Sequence, residues 1–408
     1  MALTFVVCVL ILSLSFIFRG RDLSPEGPIR IAALHQLSGT MGASGRPLVD
    51  ALRVAVDELN AAGGLLGRQV ELTVRDATGD AARTAQIADQ LIGGQGVKAL
   101  FACWTSACRK AVKPVVESRR HLMFYPVQYE GLEASPNMVY LGAAPNQQII
   151  PGTHWAMKNF GKKVYLLGSD YVFPKTANRI IADVVRAEGG RIVGERYVAF
   201  GEREFAAIAG EIARLKPDVI LNTINGDSNL AFFRQLSRAG LSLTPVLSFS
   251  MAEPEIAELG ADAFHPRHYA VWGYFESIAS DDNRRFLKTF MARFGADRAV
   301  SDPVVASYLS VLLWAEGVRR AGSVEAAEVN AVLPRLTLPG PFGVTAVDAR
   351  TRHVWRPVGI GQANREGRFD LVVTPGMALR PVPFPGFRSR EAWHELTAQL
   401  AERSAGPQ

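Results

Sequence analysis

The sequence predicts an α/β fold of two Rossmann-like lobes joined by three hinge crossings, and three observations carry that prediction. Short apolar runs alternate with amphipathic stretches at the pace of parallel βα units. Glycines close the amphipathic stretches, often in pairs. The alternation ends and begins afresh near Lys163, which gives two similar series. At 408 residues, 48% hydrophobic and 21% charged, the chain is globular and too long for one ordinary core.

In the first series, residues 29–34 read as a buried strand. Residues 47–60 then place Leu48, Ala51, Leu52, Ala55, Val56 and Leu59 on one helical face, stopped by Gly63 and Gly64. A strand at 70–74, a helix at 81–92 closed by Gly93 and Gly94, and strands at 97–102 and 122–124 follow. The second series runs strand 164–168, helix 174–187, strand 191–197, helix 204–215, strand 218–222, helix 229–239 and strand 245–249. Residues 269–275 read as an extended crossing before helices at 283–294, 303–321 and 324–333. Helices that follow a closed second series must pack elsewhere, and they are assigned to the first lobe. Crossings are therefore expected near 139–146, 268–275 and 341–347. The expected division is residues 28–143 plus 276–339 for lobe 1 and 144–275 plus 340–375 for lobe 2. A Pro-rich tail at 376–408 is expected to turn helical only after Arg390. Lobes joined this way can close around a ligand.

Residues 2–18 are apolar except for Thr4, Cys8, Ser13 and Ser15, long for a signal core and short for a comfortable membrane span. Export is the simplest reading, with residues 1–27 a signal peptide or an N-terminal anchor. No Lys or Arg precedes the run, and Arg19 and Arg21 follow it and resist crossing, so anchoring to the membrane through residues 2–18 stays open.

The formal charge of +6 is spread along the chain without aromatic-interleaved basic clusters, which excludes nucleic acid as a partner. Cys8, Cys103 and Cys108 offer no disulfide framework and no metal spacing; Cys103 and Cys108 could pair under oxidising conditions, but two buried free thiols are the preferred reading. There is no GxSxG elbow, Walker loop or HExxH, and the histidines show no ligand spacing. No enzyme constellation, metal or cofactor is expected.

Chemistry concentrates where strands should end. Thr105 and Ser106 lie between the strand ending at Ala102 and a helix start, where a hydroxyl and free backbone amides suit a carbonyl or carboxylate oxygen. Helix capping is an equal reading of the same two residues. Tyr125 and Tyr129 bracket Pro126-Val127-Gln128, and Pro126 restricts the chain, so a rigid aromatic wall including Gln128 is expected. Tyr171 stands just beyond a second-lobe strand, facing the cleft if the lobes close. Asp227 occupies an N-cap position, and Glu253 follows the run 245–251. Two carboxylates at neighbouring strand mouths can accept several N–H bonds from one ligand, although each is also an ordinary helix-start acid.

Taken together, LHQLSGTMG from Leu34, AGGLLGRQVE from Ala62, CWTSACRKAVKPV from Cys103, FYPVQYEGLEASPN from Phe124, GAAPNQQIIP from Gly142, GSDYVFPKTAN from Gly168 and NTINGDSNLAFF from Asn222 resemble a known family. These are the urea-type substrate-binding proteins of ABC transporters, within the branched-chain amino-acid and amide-binding group. The resemblance covers residues 29–373 and implies a type 1 periplasmic binding protein fold. Short-chain amide sensors look similar through CWTS, YPVQYEG, PNQ and GSDY, which leaves a sensor regulating a partner as the alternative. By position, Ser106, Tyr125 and Tyr171 match the pocket motifs of both groups, and Asp227 and Glu253 match the urea type. Cys108 departs from the pattern by replacing a usual Ser. The resemblance implies capture of urea or a short-chain amide outside the cytoplasmic membrane, in the periplasm, for delivery to permease subunits.

Urea is a planar diamide with one carbonyl acceptor and four N–H donors, and a buried site must satisfy all of them. Ser106 and neighbouring amides are expected to donate to the carbonyl, and Asp227, Glu253 and tyrosine hydroxyls to accept from the amino groups.

Overall fold

The computed structural model describes residues 27–260 and 263–404. The apolar run at 2–18 with Arg19 and Arg21 lies outside the described residues, and no helix among those described is long and apolar enough to cross a membrane.

In chain order the strands are β1 (Ile29–His35), β2 (Val70–Asp76), β3 (Leu100–Ala102), β4 (Met123–Tyr125), β5 (Met138–Tyr140), β6 (Lys163–Ser169), β7 (Arg191–Val198), β8 (Val219–Thr223), β9 (Val246–Ser248), β10 (His268–Trp272), β11 (Thr337–Gly340), β12 (Gly343–Ala346), β13 (Gly359–Ala363) and β14 (Phe369–Val373). The helices are α1 (Gly42–Ala61), α2 (Ala81–Gly93), α3 (Ser106–Ser118), α4 (Ile149–Phe160), α5 (Val172–Ala187), α6 (Ala206–Leu215), α7 (Ser228–Arg238), α8 (Glu253–Leu259), α9 (Asp281–Phe294), α10 (Asp302–Ala321), α11 (Ala326–Val332) and α12 (Arg390–Ser404).

Five parallel strands in the order β2-β1-β3-β4-β5 make the first sheet. The second runs β14-β13-β10-β9-β8-β6-β7, parallel from β10 to β7, with the antiparallel pair β13 and β14 added at one edge. Alternation along β6 sends Val164 and Leu166 to one face and Tyr165 and Leu167 to the other, so helices cover both sides of this sheet. The late helices α9, α10 and α11 pack with the first sheet: Phe286, Phe290, Trp314 and Val329 lie in one core with Phe101 and Phe124. The tail helix α12 docks on the second lobe through Trp393, which is fully buried, while Arg388 just before it pairs with Asp183 of α5.

Two crossings differ from the sequence reading. Residues 268–272 are not connector but strand β10, because they find partners on both edges, β9 and β13; the connector is 273–280. The third crossing runs later than 341–347. Phe342, Val347 and Val354 still pack in the first core, and the chain enters the second sheet at β13.

The crossings are bound to one another by a buried ion pair. Arg356 of the third crossing donates to the Leu141 carbonyl of the first and to Asp302 at the start of α10, and both side chains are fully buried. Asp302 also accepts from the Gly273 amide of the second crossing at 3.0 Å. Burial pushes the Asp302 carboxyl up and the Arg356 guanidinium down, and each partly restores the other. Replacing Arg356 by Met strands a buried carboxylate, and the expected cost is about 3–5 kcal/mol. Guanidinium unfolding of the variant checks it; a midpoint equal to the parent's would mean that the pair does not hold the hinge.

Candidate functional site

In a doubly wound sheet, ligands bind beyond the C-terminal ends of strands where the strand order reverses. Here that point lies between β1 and β3 in the first lobe and between β6 and β8 in the second. Thr105 and Ser106 follow β3, Tyr171 follows β6 and Asp227 follows β8, so four of the sequence candidates flank the two switch points. Tyr125 ends β4 next door, Gln128 follows it, and Glu253 begins α8 after β9.

The first-lobe wall is built around Arg109, one helical turn into α3 and fully buried. Its Nε donates to Glu133 at 3.0 Å, Nη2 to Glu130 at 2.8 Å and Nη1 to Ser106 Oγ at 2.8 Å. The guanidinium also lies over the rings of Tyr129 and Tyr125, at 4.3 and 4.9 Å. Tyr140 donates to Glu133 at 3.0 Å and stacks with Tyr129 and His353.

This network decides what the candidates can still do. Ser106 Oγ gives its proton to Glu130 Oε2 at 2.5 Å, so the hydroxyl has none left for a ligand carbonyl. The backbone amides of Ser106 and Ala107, in the first turn of α3, have no intrahelical acceptor. Thr105 is the helix cap: its Oγ1 accepts from the Cys108 amide at 3.2 Å. Tyr125 donates to the Trp104 carbonyl at 2.9 Å and keeps a lone pair for an incoming N–H. Cys103 and Cys108 are not free thiols but a disulfide, with Cα atoms 5.5 Å apart. The turn after β3 puts Cys103 in the left-handed region, at φ 71°, and thereby brings the strand end to the first turn of α3.

The lobes meet across this wall. Gln128 Nε2 donates to the Phe249 carbonyl at 3.0 Å, leaving its buried Oε1 without a partner. Ser44 of α1 donates to Glu255 of α8 at 2.6 Å. Gly226 packs so closely on Thr40 that a Cβ there would stand 2.8 Å from its carbonyl oxygen. Burial drives the Tyr171 phenol well above its ordinary range, with Tyr125 and Glu130 adding to the shift and Arg109 opposing it, so it lies within the field of the first-lobe cluster.

The two acids part company. Asp227 stands at the N-cap of α7 without making the capping bond, and its Oδ1 is buried and unpaired. Glu253 is turned to the second crossing: its Oε1 accepts from the Glu276 amide at 3.0 Å, and Oε2 has no partner. Burial raises its carboxyl to about 8, and the nearby acids Glu276 and Asp302 contribute.

Further unpaired buried polar groups stand at the same strand ends: both nitrogens of His35, Gln36 Oε1, Trp104 Nε1, Ser228 Oγ and Ser250 Oγ. Sequence reasoning passed over them. Their signal was position alone, one or a few residues past an apolar run. Burial lowers the His35 imidazole to about 3 and keeps it neutral.

Burial alone would raise the Glu133 carboxyl, but Arg109 and Lys110 outweigh it and hold it at about 2, below its ordinary 4.5. The unfolded chain therefore takes up this proton first as pH falls. The stability that Glu133 contributes is complete above about 4.5 and is lost as pH falls from there through about 2. Glu133→Gln is expected to cost about 3–5 kcal/mol at neutral pH and to flatten the acid limb of the melting-temperature profile below 4.5; an acid limb identical to the parent's would contradict this.

Residues 29–390 match the family model described as periplasmic binding protein domain. The Leu/Ile/Val-binding protein BraC3 of Rhizobium johnstonii is 24% identical over 316 residues, covering 74% of this chain and 82% of that protein. A limonene hydroxylase of Geobacillus stearothermophilus is 30% identical over 144 residues, 34% of this chain, and the match spans 26% of that relative's length. Among solved structures, an ABC transporter solute-binding protein from R. palustris in complex with benzoate superposes with a TM-score of 0.77 at 19% identity, covering 86% of this chain and 98% of that one. With its two parallel-sheet lobes and a family match over most of its length, the chain belongs to the periplasmic binding protein domain family.

Proposed function

We propose that the chain is the extracytoplasmic substrate-binding component of an ABC transporter, which captures urea or a short-chain amide between its lobes and delivers it to the permease. The observation that carries the ligand class is the state of charge at the strand ends. Arg109 is committed to Glu130 and Glu133. Of the unpaired buried groups past β1, β3, β4, β8 and β9, only Asp227 and Glu253 are acids, and burial raises the Glu253 carboxyl to about 8. A wall of neutral donors and acceptors suits a neutral ligand rich in hydrogen-bonding groups, because each unmet buried group costs affinity.

In this reading the ligand carbonyl is met by the Ser106 and Ala107 amides and the Trp104 indole N–H. The amino groups donate to the Tyr125 hydroxyl, Gln128 Oε1 and Asp227 Oδ1, and Tyr171 closes the opposite wall. Glu253 offers a single unengaged oxygen and acts at the hinge. The Cys103–Cys108 disulfide agrees with an oxidising compartment outside the cytoplasm. The name of the Rhizobium relative favours a second ligand class, branched-chain amino acids, whose carboxylate would use the same helix start.

Calorimetric titration with urea, acetamide, formamide, leucine and benzoate separates the two classes. Urea is expected to bind most tightly, and leucine or benzoate binding more tightly would overturn the ligand assignment. Asp227→Asn is expected to weaken urea by about 1–3 kcal/mol and acetamide by less; equal losses would remove Asp227 from the site.

A further inference from the structure

On the outer side of Asp227, a cavity of about 270 Å³ lies between α7 and the connection from β7 to α6. Arg234 and Arg238, one turn apart on α7, and Arg203 from the connection line it, over a floor of Leu230 and Ala231. Among the described residues, no carboxylate lies within ion-pair distance of any of these three guanidiniums. Elsewhere on the surface exposed arginines do find acids, as Arg119 finds Asp89 and Arg196 finds Glu211. Like charges at i and i+4 repel. Three exposed arginines without an ion-pair partner among the described residues thus line one small cavity, and the one acid lining it, Asp227, leaves an excess of positive charge.

We propose that Arg203, Arg234 and Arg238 form a site for a small tetrahedral oxyanion of the phosphate or sulfate class on the second lobe, separate from the interlobe cleft. Guanidinium forks present paired N–H donors to such an ion, and its several acceptor oxygens can engage more than one fork, which a single planar carboxylate does less well. The apolar floor excludes water from one side. The proposal does not rest on the urea reading, which also invokes Asp227.

The test is calorimetric titration of the full chain with inorganic phosphate at fixed ionic strength, with chloride as the control anion. Saturable binding is expected. It should weaken by about tenfold or more in Arg234→Ala and in Arg238→Ala, the loss of one charge-assisted bond. It should tighten several-fold in Asp227→Asn, which removes the opposing carboxylate, while the same variant loses urea. That opposite response distinguishes failure of this site from failure of the cleft reading. Circular dichroism and thermal melts establish that each variant is folded, and Arg203→Ala provides a third probe outside α7. Absence of saturable phosphate binding, or binding unchanged in all three arginine variants, would overturn the proposal. Arginine-dependent sedimentation with phosphatidylglycerol vesicles, without binding of the free ion, would overturn the free-oxyanion assignment in favour of a lipid phosphate.

Discussion

Arg109 donates to Glu133, Glu130 and Ser106 from inside a cage of tyrosines with no access to solvent, and the ligand-facing side of the first lobe is arranged around it. A guanidinium out of water is tolerated only when its charge and its donors are met together. Meeting them fixes the loop carrying Glu130 and Glu133 onto α3, sets the rings of Tyr125 and Tyr129 around the cation, and through Tyr140 reaches His353 on the third crossing. The pocket wall is stiff because its polar groups are used up inside the wall. What the network leaves unengaged is a lone pair on Tyr125, the amides at the start of α3, and the unpaired groups at the neighbouring strand ends.

The hinge follows the same rule with a different ion pair. Arg356 and Asp302 draw together backbone from all three crossings, so the lobes cannot slide apart independently. Glu253 sits beside them, one oxygen bound to the second crossing and its proton retained by burial. A protonated carboxyl at this place avoids adding a third charge to Asp302 and Glu276. The interlobe contacts away from the hinge are neutral or singly charged hydrogen bonds, Gln128 to Phe249 and Ser44 to Glu255. Bonds of that kind are modest in net energy beside the buried ion pair of the hinge.

The alternation of strands and helices was legible because it rests on local periodicity, and the mouths of β3, β4, β6 and β8 could be located for the same reason. Elements whose residues answer to distant partners were not. The strand β13 reads Gly-Ile-Gly-Gln-Ala, poor in strand formers, yet Gly361 is required there because a Cβ would stand 2.5 Å from the Phe275 ring. Helix α4, which carries Pro151 and Gly152 in its first turn, had no place in the sequence reading. Glu130 and Glu133 belonged to a motif visible in the sequence, but their partner lies 21 and 24 residues earlier, and nothing in the spacing couples them. The disulfide depends on the left-handed turn at Cys103, a conformation that no residue type there announces.

Charge in this protein is therefore sorted by depth. The two fully buried cations, Arg109 and Arg356, are each bound to carboxylates, whereas Arg352, less deeply buried, donates to Asn330. Buried histidines stay neutral, as His35 does at the first switch point. At the surface, exposed arginines such as Arg234 and Arg238 of α7 have no carboxylate within ion-pair distance among the described residues. In the proposed urea reading, a carboxylate entering between the lobes would exchange full hydration for uncharged donors and would meet Asp227. On that same proposal a neutral ligand gives up less hydration and can satisfy the same groups, so the sorting of charge would itself act on selectivity.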